Sequence, residues 1–286
     1  MELCNEYPEM LENIIEQGIK YLERYPKIET MVVGLSGGID STLTAAIARE
    51  ICDRTNKHKL IGYSIPIETN KPSEILNARD AGNSFCHKFI EIKWLNIIYP
   101  IVKWIFFNKF KKSNDFNENV RFGNIKARLR MIYLYDRSSR YKGIVLSTDN
   151  LTEFNLGFWT LHGDVGDVGF IQQLWKTEVY GIAHFLFARY SKSIMKQSAL
   201  IKAINAIPTD GLGITDSDFD QIGVSSYEEI DNLLIEYIKT GSKNKILEKH
   251  PVIRRHLTYD FKRKNPYSIS RESIIPKPSP VILDLI

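Results

Sequence analysis

The run Ser36-Gly37-Gly38-Ile39-Asp40-Ser41 has the residue types and spacing of a phosphate-binding loop. Its two glycines permit a positive φ and let the backbone come close to a ligand. A helix starting just beyond them presents unpaired N–H groups and the positive end of its dipole, an arrangement that holds phosphate. Ser36 and Ser41 add hydroxyl donors. Asp40 would repel phosphate unless a cation lay between them, so it points to Mg2+, which takes one or two carboxylates together with phosphate oxygens. The lysine of G-x-x-x-x-G-K-[ST] is missing, which excludes a Walker-type NTPase loop. A glycine-rich turn with incidental serines is the competing reading of these six residues.

Such a loop must be carried by a strand and a helix, and the flanking sequence supplies both. Met31-Val32-Val33-Gly34-Leu35 has the length and β-branching of a buried strand, and Leu43, Ala46, Ile47 and Ile51 give a helical face after it. An amphipathic helix precedes the strand, with Leu11, Ile14, Ile15, Ile19 and Leu22 at helical spacing and Pro26 closing it. The alternation repeats downstream. Leu60 to Ile65, Phe89 to Trp94 and Gly143 to Thr148 read as strands, and Ser73 to Phe85 and Asn124 to Arg137 as helices. On the last helix Ile125, Leu129, Ile132 and Tyr133 point one way and Lys126, Arg128 and Arg130 mostly another. Asn108 to Asn119 reads as an exposed polar loop.

Strands separated by helix-length segments imply βαβ units, hence an α/β fold whose doubly wound, mainly parallel sheet carries helices on both faces. The C-terminal part reads as helical, and Ser226 with Glu229 forms a capping box. Ligands of such sheets sit beyond the carboxyl ends of the strands, so the loops Ser36–Ser41 and Ser147–Glu153 should meet in one cleft.

Composition narrows the class. With 286 residues, 43% hydrophobic and 25% charged, the chain is neither disordered nor collagen-like and spans one or two domains. The three cysteines form no C-x-x-C pair, and the N-terminus lacks a signal-peptide pattern, so a cytoplasmic location is expected. The apolar stretch Leu95 to Phe107 is too short to span a bilayer and contains Pro100 and Lys103, so no membrane span is expected. Net charge is +4, and residues 243–264 alone carry +6, leaving −2 elsewhere; a basic segment of this kind suits a phosphate-bearing partner or simply a solvated face.

The loop resembles the pyrophosphate-binding loop of the ATP pyrophosphatase, or PP-loop, superfamily, whose fold is adenine nucleotide alpha-hydrolase-like. Within it, the later motifs resemble the NAD synthetases. Asn124-Ile125-Lys126-Ala127-Arg128-Leu129-Arg130-Met131 is similar to their N-x-K-A-R-x-R-M helix, and Ser147-Thr148-Asp149-Asn150-Leu151-Thr152-Glu153 to their G-T-x-N-x-x-E stretch, with Ser147 for glycine. Gly157 to Asp164, Leu174 to Val179, Pro208 to Leu212, Ile222 to Tyr227 and Lys262 to Pro266 follow in the same order. The resemblance covers about residues 10 to 270, which implies a single domain over 1–270 and leaves 271–286 as a Pro-containing extension.

What it implies is an ammonia-dependent ligase. ATP and Mg2+ serve as co-substrate and cofactor, deamido-NAD is adenylated on its nicotinate carboxylate, and ammonia displaces AMP. The absence of a Ser/His/Asp or Cys/His arrangement fits a reaction that needs no side-chain nucleophile. A glutamine-dependent relative would need a further glutaminase domain, and only about 30 residues precede the first strand here, so free ammonia, or a separate amidotransferase, is the expected donor. By the resemblance, Gly34, Leu35, Ser36, Gly37, Gly38, Ile39, Asp40 and Ser41 hold the ATP phosphates, with Thr148, Lys176 and Thr209 as further ATP contacts. Asp40 and Glu153 are the Mg2+ carboxylates, and Asp40, Glu153 and Lys176 the catalytic set. Arg128, Leu161, Asp167, Phe261 and Lys262 fall at deamido-NAD positions. A homodimer is expected, with Ile97 to Phe107 as a candidate contact or core segment.

Three departures lie on the dinucleotide side. Leu161 stands where many relatives have lysine, Phe261 replaces a histidine, and Gly163-Asp164-Val165-Gly166-Asp167 is one residue shorter than G-D-G-G-x-D. They leave three other readings: an adenylating enzyme with a different acceptor, a nucleotide-binding relative without turnover, and nucleic-acid binding by the basic segment. The last has no recognisable motif, and no nucleic-acid partner is expected.

Overall fold

The apolar run before the glycine loop forms β1 (Thr30–Gly34), the central strand of a five-stranded sheet ordered β3-β2-β1-β4-β5. The other strands are β2 (Lys59–Ser64), β3 (Lys88–Glu91), β4 (Gly143–Ser147) and the short β5 (Val168–Gly169). Every neighbouring pair is parallel. The computed structural model describes residues 2–67, 70–93, 95–107, 115–208, 219, 222–241 and 243–274. Strand order reverses at β1: β2 lies on one side and β4, far later in the chain, on the other. The crevice at such a reversal is where an open α/β sheet binds its ligand.

Strand alternation assigns the two faces. Met31 and Val33 pack with Leu11 and Ile15 of α1 (Tyr7–Arg24), Leu43 and Ile47 of α2 (Ile39–Thr55), and Val179 and Leu186 of α7 (Lys176–Arg189). Val32, between them, packs on the opposite face with Tyr63, Met131, Leu134 and Tyr99, the last from α4 (Leu95–Phe107). Both Met131 and Leu134 belong to α5 (Phe116–Arg140). Met31, Val32 and Val33 are fully buried, so each contributes on the order of 1.5–3 kcal/mol by leaving water. Helices α3 (Pro72–Phe85) and α8 (Ile194–Ile204) complete the first face. A third core joins α6 (Leu151–Leu156), α9 (Tyr227–Lys239) and α10 (Pro251–Thr258) through Leu156, Trp175, Ile230, Leu234 and Ile253, and α11 (Asp260–Arg263) follows.

Several expectations are corrected. Helix α5 begins at Phe116 rather than Asn124: Asp115 caps it by accepting from the Asn117 N–H at 2.8 Å, so residues 116–119 are helical and not loop. Its buried face is also rotated. Lys126 is buried with its ammonium 4.6 Å from the Phe122 ring centroid, whereas Ile132 is 66% exposed. Ser226 accepts from the Glu229 N–H as a capping box requires, but the Glu229 carboxylate receives the N–H of Ser225 instead of Ser226. Thr209, most of the Pro208 to Leu212 motif and residues 275–286 of the expected extension lie outside the described residues.

Candidate active site

The two loops expected to meet do meet. Leu35, Ser36, Asp40 and Ser41 line the same cleft, of about 550 Å³, as Thr148, Asp149 and Glu153. The first loop is folded by its own hydroxyls: Ser41 Oγ accepts from the Ser36 N–H at 3.3 Å, and Ser36 Oγ accepts from the Gly38 N–H at 3.3 Å. Gly37 takes φ +90°, and a β-carbon there would lie 2.2 Å from the Glu74 carbonyl oxygen, so only glycine fits. Gly38 is the N-cap of α2 and offers no capping side chain. The first-turn N–H groups of Ile39, Asp40 and Ser41 therefore have no partner inside the helix and are placed to hold an anion.

Across the cleft, Asn150 caps α6 with its Oδ1 accepting from the Glu153 N–H at 3.0 Å, while its Nδ2 donates to Asp40 Oδ1 at 2.8 Å. One amide thus ties the two loops. Lys176, at the start of α7, reaches between them: its Nζ lies 2.5 Å from Asp40 Oδ2 and 3.0 Å from Glu153 Oε1. The lysine side chain is 3% exposed, and its Nζ also sits 5.1 Å from the Tyr227 ring centroid. Burial opposes the ammonium, yet the Asp40 and Glu153 carboxylates outweigh it and hold Lys176 well above the usual lysine range. Burial, together with the neighbouring Asp40 charge, raises Glu153 to about 8 against the pull of Lys176.

Deeper in the cleft stand Asp149 and Asp164, which belong to matched motifs although the sequence alone gave them no role. Burial, then the charge of Asp164, pushes Asp149 from 3.8 to about 7, although Ser147 Oγ donates to it at 3.0 Å. Between these two values the folded protein binds more protons than the unfolded chain, so stability falls as pH rises through that window. Asp149→Asn is expected to remove this slope. Variant and parent should melt alike near pH 4, and at pH 8 the variant should be more stable by about 1–4 kcal/mol, read by thermal unfolding across pH 4–8.

The cleft is also lined by an aromatic and cationic group. Arg255 lies 3.9 Å from the Phe158 ring centroid and 4.7 Å from that of Tyr259. Lys262 Nζ donates to the carbonyls of Gly157 at 2.7 Å and Trp159 at 2.5 Å. Burial, then the charge of Arg255, pulls Lys262 down to about 8. Gly157, with φ +66°, lets the chain turn here, since a β-carbon would lie 2.5 Å from Tyr259 Cβ.

The remaining expected residues are placed differently. Arg128 Nε donates to the Leu161 carbonyl at 3.1 Å. Asp167 accepts from Tyr135 Oη at 3.0 Å and from the Val145 N–H at 2.8 Å, which fastens its loop to β4. Phe261 is 59% exposed. Of the five residues expected on the dinucleotide, Lys262 lines the cleft, and Arg128, Leu161, Asp167 and Phe261 do not. Sequence reasoning missed Asn150 and Arg255. Asn150 sits inside the G-T-x-N-x-x-E stretch, and Arg255 had no signal beyond the basic segment.

A parallel 3-2-1-4-5 sheet with a glycine loop after its central strand, and acidic and lysine side chains converging across the switch point, is the architecture expected of the PP-loop nucleotide enzymes that the loop resembles. Residues 10–266 match the family described as NAD synthase, and the chain belongs to that family. It is 31% identical over 257 residues to an NH(3)-dependent NAD(+) synthetase of Thermoplasma volcanium, covering 90% of this chain and 96% of that protein. It is 30% identical to the protein so described in Thermoplasma acidophilum, covering 90% and 97%. Among solved structures, an NMN synthetase from Francisella tularensis superposes with TM-score 0.74 at 24% identity, covering 92% of this chain and 98% of that one. An NH3-dependent NAD synthetase from Campylobacter jejuni superposes with TM-score 0.66 at 21% identity, covering 93% and 100%. These two likenesses establish the fold.

Proposed function

We propose that the protein amidates deamido-NAD to NAD with ammonia, coupled to cleavage of ATP into AMP and pyrophosphate. The observation that carries this reading is the convergence of Asp40, Glu153 and Lys176 on one centre, in a cleft that continues to Arg255 and Lys262. A nicotinate carboxylate oxygen attacks the α-phosphorus of ATP and pyrophosphate leaves. Ammonia then attacks the activated carbonyl carbon, loses a proton, and AMP departs. The α2 N–H groups and the Ser36 and Ser41 hydroxyls bind the phosphates, and Lys176 supplies a permanent positive charge for the oxygens that gain charge. Arg255 and Lys262, backed by Phe158 and Tyr259, suit an anionic substrate that carries an aromatic ring.

The residues fit Mg2+. Asp40 and Glu153 already approach a single cationic centre, and two carboxylates plus phosphate oxygens are a donor set that Mg2+ accepts. Among the described residues no cluster of three or more His, Cys, Asp or Glu forms a cage, which agrees with a cation held jointly with nucleotide. Bound there, the ion would neutralise phosphate charge. Incubation with ATP, Mg2+, deamido-NAD and ammonium is expected to give AMP and NAD in equal amounts, and glutamine in place of ammonium is expected to give pyrophosphate from a single adenylation with neither NAD nor sustained release of AMP. Absence of AMP with all four components would overturn the reading.

A second acceptor, the nicotinate mononucleotide, is favoured by one observation: the described cleft is lined by Lys262 and by none of the other four residues expected on the dinucleotide. The Francisella structure is described as an NMN synthetase. The ratio of kcat/KM for the two acceptors decides between them.

The chain is proposed to act as a homodimer. Helix α4 exposes Ile101, Trp104, Ile105 and Phe106 side by side, and sedimentation of Trp104→Glu is expected to show monomer where the parent sediments as dimer. No helix among the described residues is long and apolar enough to cross a membrane. The three cysteines are unpaired, in keeping with a proposed cytoplasmic location. The basic segment is partly internal: Arg263 donates to the Asn155 and His256 carbonyls at 2.8 Å each.

A further inference from the structure

Helix α7 starts at Lys176, and its N-cap residue, Trp175, makes no side-chain capping hydrogen bond. The N–H groups of its start are met from elsewhere. Glu178 Oε2 accepts from the Trp175 N–H at 2.9 Å, Thr152 Oγ1 accepts from the Lys176 N–H at 2.8 Å, and Asp231 Oδ2 accepts from the Thr177 N–H at 2.9 Å. Asp231 projects from α9 and is fully buried. Its Oδ2 also accepts from the Thr177 hydroxyl at 2.7 Å, and its Oδ1 accepts from the Thr152 hydroxyl at 2.5 Å. Three donors on one buried carboxylate describe an anion held at a helix N-terminus, where the dipole favours it.

The two threonines are not arbitrary partners. Thr152 immediately precedes Glu153, and Thr177 immediately follows Lys176. A single carboxylate from a distant helix therefore locks together the first turns of α6 and α7, which carry two of the three groups that meet at the centre of the cleft. We propose that Asp231 is a positioning residue for the reaction: through the Thr152 hydroxyl and the Thr177 N–H it fixes Glu153 and Lys176 at the separation that lets them share a cation and phosphate with Asp40. The inference rests on the roles given above to Glu153 and Lys176. Misplacement of such groups by about 1 Å costs on the order of 100-fold in rate, and loss of a hydrogen bond behind a metal ligand on the order of 10–100-fold in affinity or activity.

Three variants of the full chain separate this role from a merely structural one: Asp231→Asn, Thr152→Val and Thr152→Ser. Pyrophosphate release is measured against Mg2+ concentration, with KM for each substrate. Free Mn2+ is titrated by its EPR signal in the presence of α,β-methylene-ATP, and thermal unfolding reports the folded fraction. D231N and T152V are expected to lower kcat about 10–100-fold and to weaken Mn2+ binding about tenfold, with KM for the acceptor within about threefold of the parent. T152S, which keeps the hydroxyl, is expected to restore Mn2+ binding to within about threefold. The proposal is overturned if folded D231N and T152V bind Mn2+ as the parent does and keep its kcat, or if T152S loses as much as T152V. If D231N does not fold, the contrast between T152V and T152S decides. A parent protein that releases no pyrophosphate overturns the functional reading, and the Mn2+ titration still tests the geometry.

Discussion

Lys176→Met is expected to lower the rate of AMP formation by on the order of 1,000-fold while leaving the protein folded at pH 5. Methionine approximates the length and volume of the lysine stem, so the packing against Tyr227 survives and the charge is lost. That charge stands 2.5 Å and 3.0 Å from two carboxylates and is the cation closest to both. Without it Asp40 and Glu153 lose the cation between them, and the phosphates lose their fixed positive partner. Stability should respond with a definite sign. Glu153 already sits near 8, and removal of the ammonium pushes it further up. The parent already binds this proton between pH 4.5 and 8 and loses it near 8, whereas the variant keeps it, so the variant's stability falls, relative to the parent, as pH rises from 8 to 10. Leaving a buried pair uncompensated costs about 3–5 kcal/mol, and the partial exposure of both carboxylates places this case at the lower end or below it. Pyrophosphate release and thermal unfolding at the two pH values measure both effects. A variant with near-parental adenylation removes Lys176 from the chemistry.

Asp40→Asn and Glu153→Gln should each lower adenylation by on the order of 1,000-fold and raise the Mg2+ concentration that gives half-maximal rate. ATP binding in the absence of Mg2+ is a different matter. The α2 N–H groups and the Ser36 and Ser41 hydroxyls are backbone and loop features that neither substitution touches. Calorimetry is therefore expected to show Mg2+-free ATP affinity unchanged or slightly improved, because a negative charge beside the phosphates has gone. The double variant should be little worse than either single one, since two ligands of one cation act as a unit. Fully additive losses would mean that the two carboxylates serve separate steps. The Asn150 bridge gives an internal control. Its Nδ2 donates to Asp40 Oδ1, and an asparagine at position 40 can turn its own carbonyl to receive that bond, so Asp40→Asn should leave the loop pairing intact.

Short-range physics made much of the chain legible before any contact was known. Hydrophobic period and β-branching placed four of the five strands and the helices α1, α2, α3 and α5, and the glycine loop followed its strand because the ligand-binding turn is contiguous. The meeting of Ser36–Ser41 with Ser147–Glu153 was legible as well, since parallel topology brings both strand ends to one edge. Helix α5 shows where the local rules stop. Lys126 is buried over Phe122 and Ile132 faces outward, because tertiary contacts on both sides of the helix, and not its own period, chose the face. Strand β5 has two residues and no pattern of its own; it exists only through its pairing of Val168 with Leu146 and Gly169 with Ser147.

Which of the matched positions reach the cleft depended on packing between distant segments. Asp167 lies in the region that matches G-D-G-G-x-D, yet spends both carboxylate oxygens on Tyr135 and the β4 backbone. Arg255 came with no local signal, yet stacks on Phe158 in the cleft. Asp231 lies 54 residues from Thr177 and 79 from Thr152, and it meets them only because α9 packs across the starts of α6 and α7. Hydrogen bonds between distant segments leave no period or spacing in the chain. They are set when hydrophobic faces dock, and the sequence records the faces without stating which of them meet.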